Sequence, residues 1–90
     1  MPQLANKQEL FDYLIGLAAS LRERGAESMA AIITIASKHA AGPTTEFLGE
    51  SRIALRKLVD LDLAVLSEQD KSEVAGVVNQ LNAALDRRPQ

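Results

Sequence analysis

The chain contains no cysteine and no tryptophan, a single histidine, and only three aromatic side chains: Phe11, Tyr13 and Phe47. The missing cysteines exclude a disulfide framework and a thiolate nucleophile, and one histidine leaves structural zinc without its usual ligand set. So few aromatics remove the stacking platforms on which single-stranded nucleic acids are held. No sign of charge dominates either: 10 Lys and Arg against 12 Asp and Glu leave a formal net charge of -2, with no general pull toward nucleic acid or an anionic membrane. Uncharged stretches such as Ser28 to Ser37 are far shorter than the roughly 20 residues that span a bilayer, and no signal-peptide pattern opens the chain. A cytoplasmic protein with no membrane partner, metal or cofactor is expected.

What the chain does contain is alanine, leucine, isoleucine and valine in helical rhythm, which favours an all-α fold. Ninety residues form one domain. A chain this short buries only about two-thirds of its unfolded surface, so its core gains from outside help.

Four helices are expected, at 7–24, 27–41, 45–61 and 68–87, over a single helical domain 1–90. Residues 1–5 lack a helical period and are expected to fray. Asn6 is a good N-cap with Glu9 at capping-box spacing, and Leu10, Phe11, Leu14, Leu17, Ala18 and Leu21 set the core stripe of the first helix. Gly25 ends that helix behind Arg22 and Arg24. The second carries Met29, Ile32, Ile33, Ala36 and Ala40 on one side, with Ala30, Thr34, Ser37 and Ala41 on the other in place of charges. Gly42-Pro43 stops it, and Thr44 or Thr45 caps the third helix. Phe47, Leu48, Ala54, Leu55, Leu58, Val59, Leu61, Val65 and Leu66 form a broad apolar stripe opposite Glu50, Arg56, Lys57 and Asp60. Asp62 would break that stripe, because an unpaired buried carboxylate costs several kcal/mol. The helix is therefore expected to end near Leu61, with 63–66 as an apolar connector. Ser67 with Asp70 caps the fourth helix. Val74, Val77, Val78, Leu81, Ala84 and Leu85 face inward there, Glu73, Gly76, Asn79, Gln80 and Ala83 outward, and Arg87, Arg88 and Pro89 close it. Short connections make a compact four-helix bundle or an orthogonal helical array.

No catalytic set converges. His39 sits at the flank of the second helix near its C-terminus, where an imidazole is stabilised without any chemical role. The carboxylates lack both EF-hand order and the Glu-x-x-His pairing of di-iron bundles, and no phosphate-binding glycine loop is present. The segment Leu48-Gly49-Glu50-Ser51-Arg52-Ile53 resembles, over a few residues, the attachment motif of acyl carrier proteins, in which a serine follows glycine and aspartate at a helix start. Glu50 replaces the aspartate and Arg52 the usual leucine, and Ser51 falls on the buried side of its helix, so no carrier role is expected.

These readings point to a small non-catalytic helical interaction protein. Its expected partners are a second copy of itself, through a homodimer contact at Ala30, Thr34, Ser37 and Ala41, and a further protein of unknown identity. The alternative is nucleic-acid binding through a helix-turn-helix-like pair of the second and third helices, with Arg52, Arg56 and Lys57 facing phosphates.

Overall fold

The computed structural model of the chain describes residues 6–60 and 66–86. It contains four α-helices: α1 (Lys7–Glu23), α2 (Glu27–Ser37), α3 (Thr44–Asp60) and α4 (Glu68–Asp86), with a 3-10 turn, Lys38–Ala41, between α2 and α3. The fold is all-α, a helical bundle or array. Asp62 and the connector 63–65 lie outside the described residues, as do 1–5 and the expected closing residues Arg87, Arg88 and Pro89.

Local chemistry sets the helix ends. Asn6 Oδ1 accepts a hydrogen bond from the Glu9 backbone N–H at 2.9 Å, satisfying one of the orphan donors at the start of α1. At its other end, the Ala26 N–H reaches back to the Leu21 carbonyl (2.9 Å) and the Gly25 N–H to that of Arg22 (3.0 Å), the paired bonds of a Schellman motif. The motif needs a left-handed residue, and Gly25 supplies it at φ 80°. The start of α4 is closed reciprocally: Ser67 Oγ accepts from the Asp70 N–H, and Asp70 Oδ2 accepts from the Ser67 N–H, both at 3.1 Å.

Three boundaries differ from expectation, the first only in that α1 ends at Glu23 and leaves Arg24 as its C-cap. The second helix tightens to 3-10 geometry after Ser37 instead of running as α-helix to Ala41, the usual way a last turn satisfies its carbonyls when the chain must stop. What stops it is Pro43, which disfavours helical geometry in the residue before it, and Gly42 is extended at ψ -159°. The third helix starts at Thr44, and the Pro43 carbonyl accepts its first hydrogen bond, from the Phe47 N–H at 3.0 Å.

The core joins Leu10, Leu14, Ala18 and Leu21 of α1 to Met29, Ala30, Ile33 and Ala36 of α2, to Phe47, Ala54, Leu55 and Leu58 of α3, and to Val74, Val77 and Leu81 of α4, with Leu66 closing one end. Successive helices pack on one another, and α1 against α2 is the most extensive pairing. Side chains tie α1 to α4: Arg24 Nη1, just past α1, is 2.5 Å from Asp70 Oδ2. A second tie joins the start of α1 to the turn before α3, where Lys7 Nζ donates to the Gly42 carbonyl at 2.8 Å.

Candidate interaction surface

The small-residue face of α2 does what such a face is suited to do, but within one chain. Ala30 is fully buried and Ser37 nearly so. Thr34 Oγ1 accepts a hydrogen bond from Arg22 Nη2 of α1 at 2.9 Å, and Ser37 borders the recess formed by Lys7, Gln8 and Phe11 of α1. Small side chains let two backbones approach closely, and the helix that approaches is α1. The expected contact set Ala30, Thr34, Ser37 and Ala41 is corrected accordingly: only Ala41, in the 3-10 turn, is exposed, and a second subunit has no access to Ala30 or Ser37 in this fold.

The uncovered side of α2 is one step round the helix, at Ser28, Ala31 and Ile35, all exposed. Ile35 leaves 60 % of its surface in water, the most exposed large apolar side chain described, and Ile53 of α3 leaves 48 %. The two border the same shallow groove of ≈ 140 Å³ between α2 and α3, floored by Ala36 and Ala54 and flanked by Glu50 and Lys57. Positions 50, 53, 54 and 57 share one face of α3 by the i, i+3, i+4, i+7 rule. Isolated exposed isoleucines are ordinary, but two across one groove form a contiguous apolar strip.

The basic residues of the alternative reading do not converge. Arg52 Nη1 donates to Asn82 Oδ1 of α4 at 3.1 Å in a half-buried contact, and Arg56 lines a separate groove with Val59, Asp60 and Val78 on the α4 side. Lys57 points to the α2 side instead. The three cations are thus distributed around α3, with Asp60 and Glu50 interleaved.

His39 Nδ1 stands 3.7 Å from Glu46 Oε1, a contact that bridges the 3-10 turn and α3. Among the described residues no group of three or more His, Asp or Glu is placed to hold a metal ion, and no helix is long and apolar enough to cross a membrane. Ser51 is wholly buried, and its Oγ has no hydrogen-bond partner among the described residues, so the serine of the carrier-like segment is sealed from any modifying enzyme.

A second recess, between α1 and α4, is bordered by Tyr13, Gly16 and Leu17 on one side and Asp70 and Glu73 on the other. Burial pushes the Tyr13 phenol up to about 12, with the negative charges of Glu73 and Asp70 adding to the effect, so it stays protonated and neutral. Asp70 behaves oppositely: the Arg24 hydrogen bond first, and then that of the Ser67 backbone, hold its carboxyl below the usual range. This recess therefore contains a neutral phenol, the Ser20 hydroxyl and the carboxylates of Asp12, Asp70 and Glu73.

Sequence reasoning missed Ile35 and Ile53. The available signal was Ile53 itself, a large β-branched apolar residue on the same helical face as Glu50 and Lys57, where a solvated face would carry a polar one. Comparisons with protein-family models, with curated proteins and with solved structures found no match to this chain.

Proposed function

We propose that the chain is a small non-catalytic interaction module of the cytoplasm that self-associates through α2. The contact strip is Ala31 and Ile35, continued by Ile53 on α3, in place of the small-residue face already used by α1. The observation that carries this reading is the pair of half-exposed isoleucines across one groove. Fully burying an isoleucine contributes about 1.5–3 kcal/mol, so removing the exposed half of Ile35 and Ile53 from water contributes roughly 1 kcal/mol or slightly more for each. Four such side chains in a symmetric pair supply about 4–6 kcal/mol, which offsets only the low end of the association cost, so a pair that forms reversibly at micromolar concentration also requires burial of Ala31, the exposed part of Ile32 and the rest of the groove. The same strip serves for a different helical protein where one competes for it.

The test is Ile35→Gln, which keeps helix propensity and removes the apolar surface. The loss occurs twice in a symmetric pair, about 2–3 kcal/mol, and should weaken self-association roughly 30- to 150-fold, while the part of Ile35 already buried within the chain limits the loss of single-chain stability to about 1 kcal/mol. Unchanged self-association in this variant would refute the assignment of the strip.

A further inference from the structure

The charges beside the groove carry information about how a second copy would sit on it. Glu50 and Lys57 lie on one face of α3 and are separated by seven residues, a rise of about 10.5 Å, too far to pair with each other. Neither makes an ion pair among the described residues. Midway between them lie Ile53 and Ala54, which border the same groove. Two parallel copies of this face in register would set Glu50 against Glu50 and Lys57 against Lys57. Two antiparallel copies set each Glu50 against a Lys57.

We propose that α3 packs antiparallel on the α3 of a second copy, about a two-fold axis between Ile53 and Ala54, with Glu50 facing the partner's Lys57 at both ends and Ile53 and Ile35 enclosed between them. This rests on the self-association reading above, keeps Ile35 of α2 in the contact, places the two-fold axis on α3 in place of α2, and adds the partner's orientation and register. A two-fold contact is self-complementary: whatever residue i meets at j, j meets at i. Residues 50 and 57 satisfy that condition with opposite charges equidistant from the axis. The isoleucines supply the attraction and the charges select the orientation, since like charges brought face to face oppose the parallel alternative.

The experiment is a charge-exchange series read by sedimentation at low ionic strength. Glu50→Lys sets two lysines together at each end, and Lys57→Glu sets two glutamates together. Each should weaken the pair about tenfold or more, because two attractive contacts become two repulsive ones. Glu50→Lys with Lys57→Glu in the same chain restores opposite charges at both ends and should return the wild-type affinity to within about threefold. If wild type associates and neither single exchange weakens it, or the double exchange fails to restore it, the register is wrong while self-association stands. If wild type does not associate at all, the underlying reading fails with it. A second measurement covers the case in which an exchange disturbs folding: the chain has no native cysteine, so a mixture of Glu50→Cys and Lys57→Cys chains carries two thiols that face each other across the axis while both isoleucines stay in place. A short bifunctional thiol reagent should join two such chains readily and should not join chains carrying Ile15→Cys, on the exposed side of α1. Equal joining of both, or joining of the Ile15→Cys chains alone, overturns the proposal.

Discussion

Ser51 offers the most direct check on the core, because its hydroxyl is fully buried in α3 and finds no hydrogen-bond partner among the described residues. A hydroxyl taken from water without compensation costs about 1–3 kcal/mol in proteins. Ser51→Ala removes that cost and adds the few tenths of a kcal/mol by which alanine exceeds serine in a helix interior. Against these gains stands the loss of one atom's packing, a void of roughly 10 Å³ worth a few tenths of a kcal/mol. The net expectation is a stabilisation of about 1–2 kcal/mol, or a rise in Tm of about 4–8 °C per kcal/mol for a domain of this size. Ser37→Ala is the matched control: Ser37 is equally hidden, but its Oγ donates to the Thr34 carbonyl at 2.6 Å. Losing that bond offsets the gain in propensity, so the control should move little. Urea unfolding of the three proteins measures the difference, and an unchanged slope confirms that the native surface is preserved. If Ser51→Ala is destabilising, or no more stable than Ser37→Ala, the hydroxyl has a partner and the reasoning is refuted.

Other substitutions test the helix ends. Gly25→Ala meets no atom within 4 Å, so its effect is that of forcing a side chain to φ 80°, a loss of about 1–2 kcal/mol in a denaturant melt. Asp70→Asn removes the charge from the Arg24 contact, which is partly exposed, and should cost less than about 1 kcal/mol near neutral pH. The wild-type advantage follows from a carboxyl that ionises more readily folded than unfolded. It is complete above the unfolded pKa of about 3.9 and disappears as pH falls through the lower folded value. Unfolding curves of both proteins from neutral to strongly acid pH should therefore converge at the acid end, and a gap that persists there contradicts the Arg24 assignment.

The parts of the fold governed by neighbouring residues were legible in the sequence. Asn6 with Glu9, Gly25 behind two arginines, and Ser67 with Asp70 act over one turn of helix, and each appears in the structure in its expected role. The α1 stripe was equally readable, because Asp12, Gly16 and Glu23 mark its solvent side. Helix α2 was harder for a physical reason. A segment without charges has no marked wet side, so its small residues indicate a close approach without indicating by which helix. Periodicity alone therefore points Ala30 and Ser37 outward and gives no mark of Ile35. Gly76 was placed outward and is buried, while Val59, assigned to the stripe, is 44 % exposed. Both turn on how a helix is rotated about its own axis, which depends on neighbouring helices rather than on local periodicity.

The most direct measurement is the sedimentation equilibrium mass of the wild-type chain from low to high micromolar concentration, at low ionic strength. Self-association through the Ile35 and Ile53 strip predicts an average mass that climbs with concentration toward that of two chains. A mass that stays at that of one chain across the whole range contradicts it.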